Sequence, residues 1–208
     1  MSKKFFNTKS MVLLGLLTAI VAVFSFTPIG SIPIGPLVIT LNVIPVAIGA
    51  VALGPAGGAI IGGIFGLFSF LQCFGIGIPS AMGMALLEID PILCFVQRFF
   101  PRLLDGFIAG LIFRLCTKIT NVHISGFVTG FFTAFLNTAF FMLTLVFLFG
   151  NTEYMQEQIN GKNIIMFIIT FVGINAVVEM IAATLITGAA GSALNKARLI
   201  NLPAKQSK

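Results

Sequence analysis

The sequence is poor in charge. Lys, Arg, Asp and Glu make up 9% of its 208 residues, where a soluble domain carries about 25%. That leaves too little polar surface to face water, which excludes a soluble globule. Trp is absent, and Tyr154 and His123 are each the only residue of their type. His123 has neither acidic nor cysteine neighbours in its linker, so no role is assigned to it. The three cysteines, Cys73, Cys94 and Cys116, are odd in number and lack CxxC spacing, which argues against a zinc site and a disulfide framework. HExxH, GxSxG and any nucleophile–base spacing are missing, so nothing points to an enzyme, a metal or a bound cofactor. The scarcity of Trp and Tyr leans towards a ligand smaller than a flavin or pterin.

What is present is apolar bulk. Hydrophobic residues account for 58% of the chain, mean hydropathy is +1.09, and 23 residues are Phe. Most of the phenylalanines are read as lipid-facing and core bulk, not as a cofactor box. A membrane span takes about 20 residues. The pattern predicts an all-α integral membrane protein, a bundle of six transmembrane helices forming a single domain over 1–208. Pro/Gly punctuation and charge place the spans at about 10–27, 37–53, 57–73, 101–118, 125–149 and 163–194. Between them, Ser31-Ile-Pro-Ile-Gly-Pro36 reads as a loop and Gly54-Pro55-Ala56-Gly57 as a tight turn. The stretch from Gly75 to Phe100 reads as a long loop with a short helix, or as a partly embedded segment. The first 27 residues resemble a signal peptide, but no small-x-small cleavage site precedes Pro28, so they are read as a retained first helix.

The formal charge of +6 is concentrated in the tails, at Lys3, Lys4, Lys9, Lys196, Arg198, Lys205 and Lys208. That is the positive-inside pattern for a multi-pass protein with both termini cytoplasmic, and it speaks against nucleic acid as a partner. The acidic loop at 150–162 then falls outside. Arg98 and Arg102 break the rule by landing at the outer edge. They lie four residues apart, on one helical face. On one reading, Arg102 pairs with Asp105 and Arg98 snorkels to the headgroups. On the other, a guanidinium faces a cavity open to the outside and grips an anionic solute through its planar fork.

Other costly polar residues join them. Asn137 lies in span five, and Asn175 and Glu179 share one face of span six. An ionisable side chain inside a span is a functional-site hypothesis by default. Gln72 and Asn42 are weaker members of the set. Gly54, Gly58, Gly62 and Gly66 recur every fourth residue, a small-xxx-small pattern that lets helix backbones approach closely. No GxxxxGK[ST] accompanies them, so a phosphate loop is excluded. Gly15/Ala19 and Thr18/Ala22 form similar small pairs in span one, suited to internal packing or to docking another membrane subunit.

Taken together, Ser31-Ile-Pro-Ile-Gly-Pro36, Ile44-Pro-Val-Ala-Ile-Gly49, Leu53-Gly-Pro-Ala-Gly-Gly58 and Ile64-Phe-Gly-Leu-Phe-Ser69 resemble the substrate-binding S components of energy-coupling factor (ECF) vitamin transporters. Phe65-Gly-Leu-Phe-Ser-Phe-Leu-Gln72 and the Arg98/Arg102 region look most like the pantothenate-type members. The resemblance implies a high-affinity vitamin pocket near the outer face, capped by external loops. It also implies a coupling module of one membrane subunit and two cytoplasmic ATPases, with ATP hydrolysis left to those partners. Small residues of the first helix, here either Gly15 and Ala19 or Thr18 and Ala22, would meet the membrane subunit. Arg98 or Arg102 would take the vitamin's carboxylate, with Gln72, Asn137, Asn175 and Glu179 answering its remaining polar atoms. The alternatives are an S component for riboflavin, folate or a thiamine-related compound, and a stand-alone secondary transporter. Inverted repeats, the usual mark of the latter, are not evident.

Overall fold

The structure, a computed structural model, describes residues 7–34, 37–161 and 163–200. Helix α1 (Thr8–Phe26) starts at Asn7, whose side chain accepts a hydrogen bond from the Ser10 amide at 2.8 Å, satisfying an otherwise orphaned donor. The segment expected to be an irregular loop and the start of span two is instead an antiparallel hairpin. Its strands β1 (Ser31–Ile34) and β2 (Leu37–Thr40) pair Ser31 with Thr40. Pro33 fits because a two-stranded ribbon consists only of edges, where a missing N–H is tolerated. The next helix, α2 (Val43–Leu71), therefore begins six residues later than expected.

Helix α2 is folded in two at Gly54, whose φ of 76° and ψ of −163° only glycine adopts readily. Pro55 then opens the second arm with its φ already set. Along an unbroken helix, residues eight apart are separated by about 12 Å. Here the Ala50 Cβ lies 3.0 Å from where a methyl on Gly58 would sit, and the Gly49 carbonyl lies 3.0 Å from one on Gly57. The arms 43–53 and 55–71 thus form a tight helical hairpin, with the turn at the expected place.

A 3₁₀ turn (Gln72–Phe74) leads to α3 (Ala81–Ile89), capped by Ser80, and then to α4 (Pro91–Ile119). The expected start of the fourth span at 101 is ten residues late. Pro101 lies inside α4, and the true start is Asp90-Pro91. The Asp90 carboxylate accepts from the Ile92 and Leu93 amides at 2.8 and 3.0 Å, with Pro91 in the first turn. Helix α5 (Val122–Phe149), the short α6 (Glu153–Ile159) and α7 (Ile164–Lys196) complete the chain.

The glycine stripe does what its spacing predicts. A methyl on Gly58 would land 2.1 Å from the Gly106 carbonyl oxygen, one on Gly62 2.2 Å from that of Arg102, and one on Gly66 2.8 Å from the Phe99 Cα. The second arm of α2 and α4 therefore run antiparallel, backbone against backbone. At one end of the bundle, Met82 and Leu86 of α3 pack with Cys94, Met142, Phe149, Met155 and Ile159. The polar stretches after α2 and α5 are thereby drawn into a roof. Beneath it Cys73 and Cys94 approach to 3.8 Å as free thiols.

Among the described residues, four stretches are long and apolar enough to cross a membrane: Thr8–Phe26, Val43–Phe74, Val122–Phe149 and Asn175–Lys196. Six spans are expected from the sequence, and two physical causes account for the smaller number that meets this criterion of length and apolarity. The second stretch contains both arms of α2. Helix α4, although 29 residues long, carries Arg98, Arg102, Asp105, Arg114 and Lys118. The architecture is an all-α, multi-pass membrane bundle with one small β-hairpin.

If the α2–α4 seam sets the fold, Gly58→Ala and Gly62→Ala should each destabilise by about 2 kcal/mol or more, the cost of overpacking. Gly15→Ala should be neutral, since a methyl there meets nothing within 4 Å. The loss of monodisperse protein on heating, followed by size-exclusion chromatography, measures this; parental melting of Gly58→Ala would refute it.

Candidate functional site

Under the roof lies a cavity of about 670 Å³ of non-protein space, its open mouth included. Of the seven polar residues singled out in the sequence, six line it: Gln72, Arg98, Arg102, Asn137, Asn175 and Glu179. They arrive from four elements. Gln72 follows α2, the arginines share one face of α4, Asn137 comes from α5, and Asn175 with Glu179 from one face of α7. Asn42 does not line it; its side-chain amide instead donates to the Ser25 hydroxyl at 3.0 Å. Gln72 also holds the end of α1, donating to the Ser25 carbonyl at 2.8 Å.

Both arginines are about 5% exposed, so neither snorkels to the headgroups. Nor does Arg102 pair with Asp105. Among the described residues no ion pair forms at this site, and Asp105 Oδ1 is itself buried without a hydrogen-bond partner. Instead Arg98 Nη2 donates to the Ser80 hydroxyl at 3.2 Å, and Arg102 Nη1 donates to the Arg98 carbonyl at 2.7 Å. The Nε of each has no partner. The Arg102 guanidinium carbon lies 4.7 Å from the Phe65 ring centroid and 5.3 Å from that of Phe141, and Arg98 lies 5.3 Å from the same Phe141 ring. Each such contact contributes about 0.5–2 kcal/mol, less than the several kcal/mol it costs to desolvate an ion.

The carboxylate of Glu179 faces the same space, with Oε1 accepting from the Thr40 backbone N–H at 2.9 Å. That bond ties the β-hairpin to α7. Asn137 Oδ1 is buried and unpartnered. Two guanidiniums against one carboxylate give the cavity a formal charge of +1. Such a set of groups is chemically able to engage an anion that also carries hydrogen-bonding groups. The arginines offer charge-assisted donors, and the same lining holds amide and carboxylate groups.

Some lining residues escaped the sequence reading. Ser31 and Thr40 come from the hairpin, whose pairing a Pro/Gly-rich string conceals. Ser80 carried a signal, since a Ser opening the Ala81–Ile89 helix reads as an N-cap, but its reach to Arg98 depends on the tertiary fold. Phe65 and Phe141 do more than fill space, because both rings engage guanidiniums. On α1, Gly15 and Ala19 are exposed while Thr18 and Ala22 are half-buried, so the Gly15/Ala19 pair presents the outward face.

Comparison with known proteins adds an independent line. Residues 9–189 match the family model described as ECF transporter, substrate-specific component. The pantothenate transporter PanT of Leuconostoc mesenteroides subsp. mesenteroides is 28% identical over 196 residues, covering 90% of this chain and 93% of that protein. The pantothenic acid transporter PanT of Lactococcus lactis subsp. cremoris is 27% identical over 173 residues, covering 78% of this chain and 81% of the relative. The matched segment runs from α1 into α7 and takes in every residue of the cavity, so the chain belongs to the substrate-specific component family of ECF transporters.

Proposed function

We propose that this chain is the pantothenate-binding subunit of an ATP-driven importer. The observation that carries the reading is the pair of buried guanidiniums, Arg98 and Arg102, lining one cavity without a carboxylate partner. Pantothenate supplies what that site lacks, a carboxylate at one end with an amide and hydroxyls beyond it. The carboxylate binds between Arg98 and Arg102, and Gln72, Asn137, Asn175 and Glu179 answer the amide and hydroxyls. The two relatives named for pantothenate transport support the same ligand.

The chain acts as a single membrane domain. The arms of α2 and the charged α4 count as crossings alongside α1, α5 and α7, giving six. Both termini lie in the cytoplasm, as their basic residues favour, and the cavity opens to the outside. The chain itself hydrolyses no ATP. A membrane coupling subunit with two cytoplasmic ATPases supplies the energy, docking on the outward face of α1 at Gly15 and Ala19. Tight capture at the outer face precedes ATP-driven release inside.

Two tests follow. Leaving a buried charge unpaired costs about 3–5 kcal/mol, so Arg98→Gln and Arg102→Gln should weaken pantothenate binding by orders of magnitude in calorimetry. Panthenol, which carries an alcohol in place of the carboxylate, should bind the parent protein comparably poorly. Equal affinity for panthenol and pantothenate would end the assignment. Separately, Gly15→Leu should preserve binding yet abolish ATP-dependent uptake into vesicles containing the coupling module. Undiminished uptake would remove α1 from the docking role.

A further inference from the structure

We propose that Phe141 on α5 is a positioning residue that joins Arg98 and Arg102 into one anion-binding unit. The inference rests on the reading of those arginines as the carboxylate site. Two cations on adjacent turns of one helix repel, and in an apolar bundle each would relax towards water at the cavity mouth. The other fixed contacts are few. Arg98 has one hydroxyl, from Ser80, with the Cys73 and Cys94 thiols beside it, and Arg102 has one main-chain carbonyl, that of Arg98 itself. Both guanidinium carbons nevertheless lie 5.3 Å from the same Phe141 centroid. Phe65 reaches only Arg102. Phe141 is thus the aromatic contact common to both.

An aromatic face presents negative potential to a cation. The Phe141 ring therefore offsets the repulsion and holds the two forks in place before the ligand arrives. Preorganisation of this kind raises affinity by removing the cost of ordering the side chains during binding. A leucine at 141 would fill similar space but offer no such face.

The test must separate this role from simple packing. Fluorinated phenylalanines keep the ring's shape while draining its face of electron density. Incorporated at position 141 of the full chain, mono-, di- and trifluorophenylalanine should weaken pantothenate binding stepwise, by on the order of tenfold at the trifluoro end. Melting should fall less across the series than in Phe141→Leu, which removes packing as well. Phe141→Trp should bind like the parent, and Phe141→Leu at least as weakly as the trifluoro form. The sign is diagnostic. If Phe141 instead touched the anionic ligand directly, fluorination would tighten binding, so a flat or tightening series overturns the proposal. Arg98→Gln and Arg102→Gln, measured in parallel, keep the two levels apart. Impaired arginine variants beside a flat series sink only the role of Phe141, whereas parental affinity in the arginine variants sinks the carboxylate site beneath it.

Discussion

Where Gly58 meets Gly106, each backbone occupies the space that a methyl on the other would need. That mutual exclusion fixes the distance between α2 and α4, and the same contact repeats at Gly62 against Arg102 and at Gly66 against Phe99. Association between helices in a membrane relies on such packing, because lipid tails are as apolar as the side chains they replace. The seam also sets the axial position of α4. The backbone at Arg102 is clasped by Gly62, and Arg98 stands one turn away, so both guanidiniums leave the helix at defined heights beside the cavity.

The cavity combines two economies of charge. The arginines are held by one hydroxyl, one carbonyl and two rings, with two thiols beside Arg98, rather than by carboxylates. These partners stabilise the cations without neutralising them, so an incoming anion finds their charge uncancelled. Glu179 is satisfied in the complementary way, by an uncharged main-chain donor. Opposite charges thus line one space without collapsing into a salt bridge that would fill it.

Much of this was legible in the sequence because polar side chains are expensive in a membrane. A bundle retaining only a few of them inside its spans places them where they cohere, and Gln72, Arg98, Arg102, Asn137, Asn175 and Glu179 do line one cavity. Glycine periodicity was equally readable, since few arrangements of an apolar helix need a glycine at every fourth residue. Proline misled in both directions. Pro101 reads as a helix start but sits inside α4, whose beginning is set by the Asp90 cap. Pro33 reads as a loop residue but sits in a strand. The aromatic partners were illegible for another reason: Phe65 stands out only as part of a resembling run, and nothing in the string separates Phe141 from the other phenylalanines until the arginines stand beside it.

The bond between Glu179 and the hairpin ends on the amide of Thr40, not on its hydroxyl. Every residue except proline offers that amide, so the attachment does not depend on which side chain occupies position 40. On α7 the attachment needs a side-chain acceptor of that reach, while its counterpart is generic. Evolution is therefore free to rewrite the hairpin's exterior, trading polarity or bulk at the entrance, while the strand stays moored to the bundle.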